Sequence, residues 1–315
     1  MTDVREETQV REIATGLQFP EGPVAMSDGS VVLVEIKGGR ISRVSPDGAT
    51  EVVAETGGGP NGSAIGPDGK LYVANNGGSF SWHDIEGLTI PGPTPDTYEG
   101  GRIERVDLDS GDVDVLYRDC DGNQLRGPND LVFDSDGGFW FTDHGTHGER
   151  QGDVGGVYYA KPDGSQITEA IWGLQMPNGI GLSPDGGTLY VAETFTGRLW
   201  SWPVKSPGEV EPAPGLVEHG GTLVAGLPGL QLFDSLGVDA EGNICVATII
   251  VTGGGITSIS PDGENIELTE CGDPLTTNIC WGGEDRRTAF ITCSATGRLV
   301  SVDWPRPGLE LAYNA

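Results

Sequence analysis

Six polar residues stand at the same place in a phrase that recurs along this 315-residue sequence. In each copy an acid or amide precedes an apolar run, a tight turn such as PDG or EG, and a second apolar run. The six residues offer only carboxylate and amide oxygens, and they are Glu21, Asn61, Asn129, Asn178, Asp234 and Asn278. Oxygen donors without Cys or His are typical ligands of hard divalent cations, so we expect Ca²⁺ first. Mg²⁺, Mn²⁺, Fe²⁺ and Zn²⁺ are the alternatives, and this donor set disfavours zinc among them.

The elements that must position these residues are short strands. Each phrase, such as GPNGSAIGPDGKLYVAN from Gly59, continues into a third strand that opens on Gly and, in most copies, into a fourth. Six copies of four antiparallel strands predict an all-β, six-bladed β-propeller, which we expect to be a single domain over residues 1–315. A strand around Val10 to Ala14 is expected to complete the last blade and close the ring.

In a propeller the first strand of each blade lines the central channel, so the six polar residues should converge there. Two carboxylates in one channel, Glu21 and Asp234, repel each other unless a proton or cation neutralises them. The alternative is that such residues cap turns, which Asn and Asp often do, and this interpretation is favoured for Asn61 and Asn278. Glu21 is a poor turn residue between two prolines in FPEGP, so a ligand role is favoured there.

An insertion at about residues 79–101, SFSWHDIEGLTIPGPTPDTYEGG, separates the second and third strands of the second blade. Its aromatic residues and prolines suit a loop that covers a site, with Trp82, His83 and Tyr98 as contacts to a ligand. Packing of the insertion on the rim without any ligand role is the alternative that the sequence leaves open.

Composition narrows the class of protein. The 18 Lys and Arg residues face 47 acids, giving a net charge of −29, which disfavours nucleic acid and anionic membranes as partners. The five cysteines are odd in number and lack CxxC spacing, so we expect reduced thiols rather than disulfides or a zinc site. The first residues resemble no signal peptide and no long apolar run occurs, so the expected location is the cytoplasm. We expect a monomer or a weak homo-oligomer.

The phrases FPEGP, RGPNDLVFD, MPNGIGLSPDG and LFDSLGVDAEGN resemble the family of senescence marker protein (regucalcin), gluconolactonase and luciferin-regenerating enzyme, which is related to diisopropyl fluorophosphatase. The resemblance extends over nearly the whole chain. It implies a divalent metal ion held by Glu21, Asn178 and Asp234, with Asn129 as a further metal ligand or a substrate contact. Many sugar lactonases of this group have an Arg two residues before the third-blade Asn, where this chain has Gly127.

The function favoured by the sequence is hydrolysis of a small lactone, in which the metal polarises the carbonyl and Asp234 acts as general base or as nucleophile. Hydrolysis of a phosphotriester or fluorophosphate at the same site is one alternative, and a non-enzymatic calcium-binding propeller is another. The ends of the second strands and the neighbouring loops supply further candidates for substrate binding: Asn61, Trp82, Tyr98, Arg126, Asn129, Asp143, His144 and Glu193. Hydrogen bonding to loop backbone is the alternative role for the residues at the strand ends.

Overall fold

A computed structural model describes residues 9–215, 217–250 and 253–313, and these residues form 29 strands and no helix. The turn residues explain the short strands, because glycines such as Gly29 and Gly69, in DG pairs, adopt the positive φ that a tight turn requires. Six antiparallel sheets of four main strands surround one channel. The predicted six-bladed β-propeller is confirmed.

The first three blades follow β1 (Arg11–Ala14), and each begins with its innermost strand. Blade 1 contains β2 (Pro20–Ala25), β3 (Val31–Glu35), β4 (Arg40–Val44) and β5 (Thr50–Glu55). Blade 2 contains β6 (Pro60–Ile65), β7 (Leu71–Asn75), a hairpin of β8 (Ser81–Ile85) and β9 (Leu88–Gly92), and then β10 (Arg102–Val106) and β11 (Val113–Tyr117). A small ribbon of β12 (Asp119–Cys120) and β13 (Asn123–Gln124) precedes blade 3, which contains β14 (Pro128–Phe133), β15 (Phe139–Asp143), β16 (Gly155–Ala160) and β17 (Ile167–Leu174).

The remaining blades repeat the pattern. Blade 4 contains β18 (Pro177–Leu182), β19 (Thr188–Glu193), β20 (Arg198–Ser206), the short β21 (Glu209–Val210) and β22 (Thr222–Gly226). Blade 5 contains β23 (Leu232–Val238), β24 (Ile244–Ile249), β25 (Gly254–Ile259) and β26 (Ile266–Asp273). Blade 6 contains β27 (Thr276–Gly282), β28 (Thr288–Cys293) and β29 (Arg298–Asp303), and β1 adds its outermost strand.

The ring is closed by strand pairing between the two ends of the described chain. Strand β1 pairs antiparallel with β29, with Arg11 opposite Ser301, so the N-terminal strand completes the last blade as predicted. Apolar side chains fill the spaces between adjacent blades. Between blades 2 and 3, for example, Tyr72 packs against Phe133 and Phe139 with ring centroids 5.0 and 5.7 Å apart. The inner strands are therefore held by packing on both of their neighbours.

Every inner strand has a β-bulge at its polar position. The register between the first and second strands of the blade shifts just at or after Glu21 in blade 1, Pro128 in blade 3 and Pro177 in blade 4, and the other three blades have the same irregularity. A bulge bends the strand and turns a side chain away from the regular alternation. The repeated bulge is thus the local feature that directs six polar residues into the channel.

The insertion of blade 2 crosses one end of the channel. Near the tip of its β8–β9 hairpin, the N–H of Thr89 donates to the carbonyl oxygen of Ala295 in blade 6 at 2.9 Å. At its other end, the N–H of Thr94 donates to the carbonyl oxygen of His147 in blade 3 at 2.8 Å. The insertion therefore spans from blade 3 to blade 6 across the end of the channel at which the inner strands begin.

The segment after β29 crosses the opposite end of the channel. The N–H of Leu309 donates to the carbonyl oxygen of Val238 at 3.1 Å, and Arg306 forms an ion pair with the buried Asp239. The ring of Tyr313 lies edge-on to Phe133, with centroids 5.6 Å apart. Residues 304–313, which we call the C-terminal strap, thus run beneath blades 6, 5 and 3.

Two smaller expectations concern cysteines and membranes. All five cysteines are free thiols, in agreement with the absence of CxxC spacing. Within the described ranges no helix has the length and apolar character needed to cross a bilayer.

Candidate metal centre

The predicted ligands begin the inner strands. Glu21, Asn129 and Asn178 each follow a proline at the start of the strand and are 2 to 6% exposed, whereas Asp234 is half-buried in β23. In blades 1 and 4 the residue before the proline has a left-handed backbone, with φ of 58° at both Phe19 and Met176. Such conformations are unfavourable for large side chains and tend to be kept where the site requires them.

Two oxygens of this ring have no hydrogen-bond partner among the described residues although they are buried. They are Oε1 of Glu21 and Oδ1 of Asn129. The other carboxylate oxygen of Glu21 is held in place, because it accepts from the backbone N–H of Gly22 and from Nδ2 of Asn278, the latter at 2.7 Å. Asn278 therefore positions Glu21, while Oε1 is left for a ligand.

The blade 4 and blade 5 residues are linked to each other. Nδ2 of Asn178 donates to Oγ1 of Thr194 at 3.1 Å, which leaves its amide oxygen directed away from Thr194. The hydroxyl of Ser235 donates to that amide oxygen at 3.3 Å, and the N–H of Ser235 donates to Oδ1 of Asp234 at 3.1 Å. Asn178 and Asp234 therefore belong to one hydrogen-bonded unit.

A third carboxylate, Asp130, lies in the channel and is missing from the sequence-based set. Burial raises the pKa of Asp130 to about 7 and also raises the pKa of Asp234 to about 7. Burial, followed by repulsion from Asp234 and then Asp130, raises the pKa of Glu21 well above its usual value. Three acids are thus close enough to affect one another, and a bound cation would relieve their mutual repulsion.

The sequence does contain a signal for Asp130. Blades 1, 2 and 4 have glycine directly after the polar residue, because the next inner strand approaches closely there. A Cβ at Gly62 would lie 2.6 Å from the carbonyl oxygen of Asn129, and one at Gly179 would lie 2.8 Å from that of Asp234. Blade 3 has Asp130 at this position, so a comparison of the repeats one residue further along identifies it.

The donors fit a hard divalent cation. Within residues 9–215, 217–250 and 253–313, no group of three or more His, Cys, Asp or Glu side chains has a metal-binding arrangement. The channel ring instead mixes carboxylates with amides, and its two unpartnered oxygens belong to a carboxylate and an amide. Oxygen donors of this kind suit Ca²⁺ and related ions.

Several other candidate residues are occupied by protein contacts. The carboxylate of Asp143 accepts the N–H groups of Arg126 and Gly127, both at 2.7 Å, and so holds the loop that leads to Asn129. The carboxylate of Glu193 accepts from the N–H of Gln175 at 2.7 Å and from Nε1 of Trp200 at 2.8 Å. Asp143 and Glu193 therefore support the backbone around the ring, as the alternative interpretation had it.

The remaining sequence-based candidates differ in their exposure and in their contacts. The guanidinium of Arg126 contacts Asp153 at 3.2 Å and lies 5.7 Å from the ring centroid of Tyr98, so both side chains are engaged with each other and the rim. Trp82 packs against Phe19, with ring centroids 4.9 Å apart, just before the blade 1 ligand. Asn61 is buried at its ring position, whereas His83 is exposed on the hairpin.

Residues 19–295 match the family model described as the SMP-30/Gluconolactonase/LRE-like region, and the chain belongs to this family. The gluconolactonase of Zymomonas mobilis is 29% identical over 317 residues, covering 91% of this chain and 79% of that protein. Lactonase drp35 of Staphylococcus saprophyticus is 34% identical over 234 residues, covering 74% of this chain and 64% of that protein. The predicted family is confirmed.

A solved structure supports the fold independently. The structure of a gluconolactonase from Xanthomonas campestris aligns with a TM-score of 0.73, covering 95% of this chain and 91% of that one at 22% sequence identity. At this level of identity the likeness concerns the fold, which is the six-bladed arrangement described above.

Proposed function

We propose that this protein is a metal-dependent lactonase that opens a small lactone at the ring of Glu21, Asn129, Asn178 and Asp234. The observation that carries the proposal is the pair of buried, unpartnered oxygens on Glu21 and Asn129, which begin the inner strands of blades 1 and 3. Buried polar atoms are almost always satisfied, so such a pair indicates a ligand. The family relatives named as gluconolactonase and lactonase support lactone hydrolysis as the reaction.

The ring residues would hold one divalent cation, with Ca²⁺ the first candidate. When bound, such an ion supplies Lewis-acid polarisation of the lactone carbonyl. Asn278 keeps Glu21 oriented, and Thr194 keeps the amide of Asn178 oriented. Asp130 adds negative charge beside the ring, which favours a cation over an anion there.

Asp234 is the proposed general base. As a residue, Asp234 is half-buried in β23, whereas Glu21, Asn129 and Asn178 are buried. It would accept a proton from the attacking water and pass it to the lactone ring oxygen, which would leave as the new hydroxyl group of the acid product. The insertion above the channel would limit access of bulk water to the bound lactone.

Acid release from a panel of aldonolactones, followed in a pH-stat, tests the proposal. The protein is first treated with chelator and then supplied separately with Ca²⁺, Mg²⁺, Mn²⁺, Fe²⁺ or Zn²⁺. We expect hydrolysis above the uncatalysed rate only after metal is restored. Release of fluoride from a fluorophosphate, measured under the same conditions, distinguishes the phosphotriesterase alternative.

Two results would contradict the proposal. Full lactonase activity in the presence of excess chelator would remove the metal from the reaction. Binding of metal without turnover of any lactone would favour a non-enzymatic calcium-binding propeller instead.

A further inference from the structure

His144 is a buried histidine whose ring makes no hydrogen bond. It directly follows β15, is 4% exposed, and its backbone N–H donates to the carbonyl oxygen of Gly127 at 2.9 Å. Neither Nδ1 nor Nε2 has a partner among the described residues. A buried polar group without a partner costs about 1–3 kcal/mol, so a histidine is a poor choice here unless something bonds to its ring.

The ring is held from two sides. On one side it is stacked on Phe80 of the insertion, with centroids 5.5 Å apart and an interplanar angle of 23°. On the other side it lies against Gly127, where an added Cβ would come within 2.9 Å of its Cε1 atom. Glycine at position 127 therefore provides the space that the imidazole occupies, and the imidazole has a defined orientation.

His144 lines a small cavity of about 220 Å³ between blades 3 and 4, which we call the imidazole pocket. Its walls include Met176 and Phe195, and the ring centroids of Phe195 and His147 are 5.4 Å apart. Met176 lies two residues before Asn178, and Gly127 lies two residues before Asn129. The pocket is thus lined by Met176, which precedes Asn178 by two residues, and by His144, which lies against Gly127.

The charges around the imidazole pocket are already compensated. Asp153 lines it, but its carboxylate accepts from the guanidinium of Arg126 at 3.2 Å and from the N–H of Thr146 at 2.9 Å. Arg126 also donates to Oγ1 of Thr146 at 3.2 Å. Among the described residues, no Lys or Arg lines this cavity, so a phosphate or carboxylate substituent would meet the carboxylate of Asp153 without a counter-charge of its own.

The imidazole itself is uncharged near neutral pH. Burial is the largest cause of the lowered pKa of His144, which is about 4, and the nearby His147 acts in the same direction. A neutral imidazole offers one donor and one acceptor, which match the two hydrogen-bonding capacities of a hydroxyl group.

We propose that His144 is a substrate-positioning residue that hydrogen bonds an uncharged, hydroxyl-bearing substituent of the lactone in the imidazole pocket. This inference rests on the proposed lactonase function and adds the class of substrate. The preferred lactones carry a short neutral arm with a hydroxyl group, and lactones with an anionic arm are poor substrates. A site that hydrogen bonds a substrate hydroxyl discriminates strongly against the analogue that lacks it, because its own polar group is then left unpaired.

A matched set of lactones tests the proposal with the metal-loaded full-length protein. γ-Hydroxymethyl-γ-butyrolactone and γ-caprolactone have arms of similar size, one ending in a hydroxyl and the other in a methyl group, and γ-carboxy-γ-butyrolactone has a charged arm. For the wild type we expect kcat/KM to be at least about tenfold higher for the hydroxymethyl lactone than for either of the others. The difference should lie mainly in KM.

The variant His144→Phe keeps an aromatic ring against Phe80 but cannot form hydrogen bonds. It should reduce the preference between the hydroxymethyl and ethyl arms to about twofold or less, and circular dichroism checks that the variant is folded. His144→Met provides the same test if the Phe variant fails to fold. The control His83→Phe changes an exposed histidine on the hairpin and should retain the wild-type preference.

The outcomes separate the two claims. A wild type that hydrolyses these lactones without preferring the hydroxyl arm, or a His144→Phe variant that keeps the preference, overturns the role of His144 and leaves the lactonase proposal standing. A metal-loaded wild type that hydrolyses none of the lactones in this set or in the aldonolactone panel contradicts both.

Discussion

The two ends of the channel differ in size and in chemistry. The end beneath the ring, next to the C-terminal strap, has a cavity of about 610 Å³ whose walls include Phe133, Leu182, Val238 and Trp281. At the end beneath the insertion lies the smaller imidazole pocket of 220 Å³ with the unpartnered imidazole, and the unpartnered oxygens belong to Glu21 and Asn129 where the inner strands begin. The large cavity also reaches the ring, because Asp130 and Asn278 are among its walls, so the unsatisfied buried donors and acceptors, rather than cavity volume, distinguish the two ends.

The difference follows from how each inner strand begins and ends. The bulges, the prolines and the left-handed residues Phe19 and Met176 occur where the strands begin. Towards their other ends the same strands regain regular pairing and alternate apolar residues. One end of the channel is thus built to direct polar groups inward, and the other to be filled or covered.

The largest effect is expected at the polar end. The variant Asp234→Asn should lower kcat for lactone hydrolysis by about 10² to 10⁴, the usual contribution of a general base, while circular dichroism stays that of the wild type. Asp136→Asn, which changes an exposed acid beside the large cavity, is the matched control and should retain activity. Unchanged turnover in Asp234→Asn would contradict the role of this carboxylate.

The pH dependence of stability should reveal the buried imidazole. The pKa of His144 is about 4 in the folded protein, below its ordinary value of 6.5, so the unfolded chain takes up the proton first as the pH falls. The free energy of unfolding is therefore unaffected by His144 above about pH 6.5. It decreases between about pH 6.5 and 4, by up to about 3 kcal/mol in total.

Denaturant titrations of the wild type and of His144→Phe across this range measure the effect. The wild type should lose more free energy of unfolding than the variant as the pH falls. Asp153 and His147, the charged and titratable groups that face His144, are present in both proteins, as is Arg126 beside Asp153. Parallel pH profiles would mean that His144 is not held neutral by burial.

A change at the strap should affect stability without affecting catalysis. Arg306→Met removes the partner of the buried Asp239, which still accepts from the N–H of Glu241 and from Asn243. We expect a loss of about 1–3 kcal/mol in the free energy of unfolding and kcat/KM within about twofold of the wild type. Arg11→Met, which breaks an exposed ion pair with Asp303, should cost under about 1 kcal/mol. A large loss of activity in Arg306→Met would show that the two ends are coupled.

The smallest effect is expected at the insertion. Trp82→Ala removes the ring that packs on Phe19 and should raise KM about threefold to tenfold with little change in kcat, the equivalent of about 1 kcal/mol of binding. The control Ile85→Ala changes an exposed residue near the hairpin turn. Equal KM values in the two variants would favour packing on the rim without a ligand role.

The sequence predicted those features that recur in register. Six polar positions, six pairs of apolar strands and the ring-closing N-terminal strand all follow from one repeated phrase. Asp130 was missed because only the six polar positions were compared between the repeats. It stands one residue after Asn129, where three of the other blades have glycine. The supporting roles of Asp143 and Glu193 depend on the N–H groups of Gly127 and Gln175, in the loops before the inner strands, and the spacing of the repeat does not show these contacts.

The insertion was predictable only in part. The insertion was located from its length and composition, but its hydrogen bonds to Ala295 and His147 depend on blades distant in sequence. The unpaired state of His144 likewise depends on the space left by Gly127 and the ring of Phe80, which come from two different blades.

Calorimetric titration of chelator-treated protein with Ca²⁺ tests the central claim most directly. We expect one ion per chain for the wild type and for Asp136→Asn, with an affinity at least about tenfold lower for Glu21→Gln. Glu21→Gln binding Ca²⁺ with the stoichiometry and affinity of the wild type would contradict a metal-ligand role for Glu21, and a wild type that binds no divalent cation would contradict the metal centre itself.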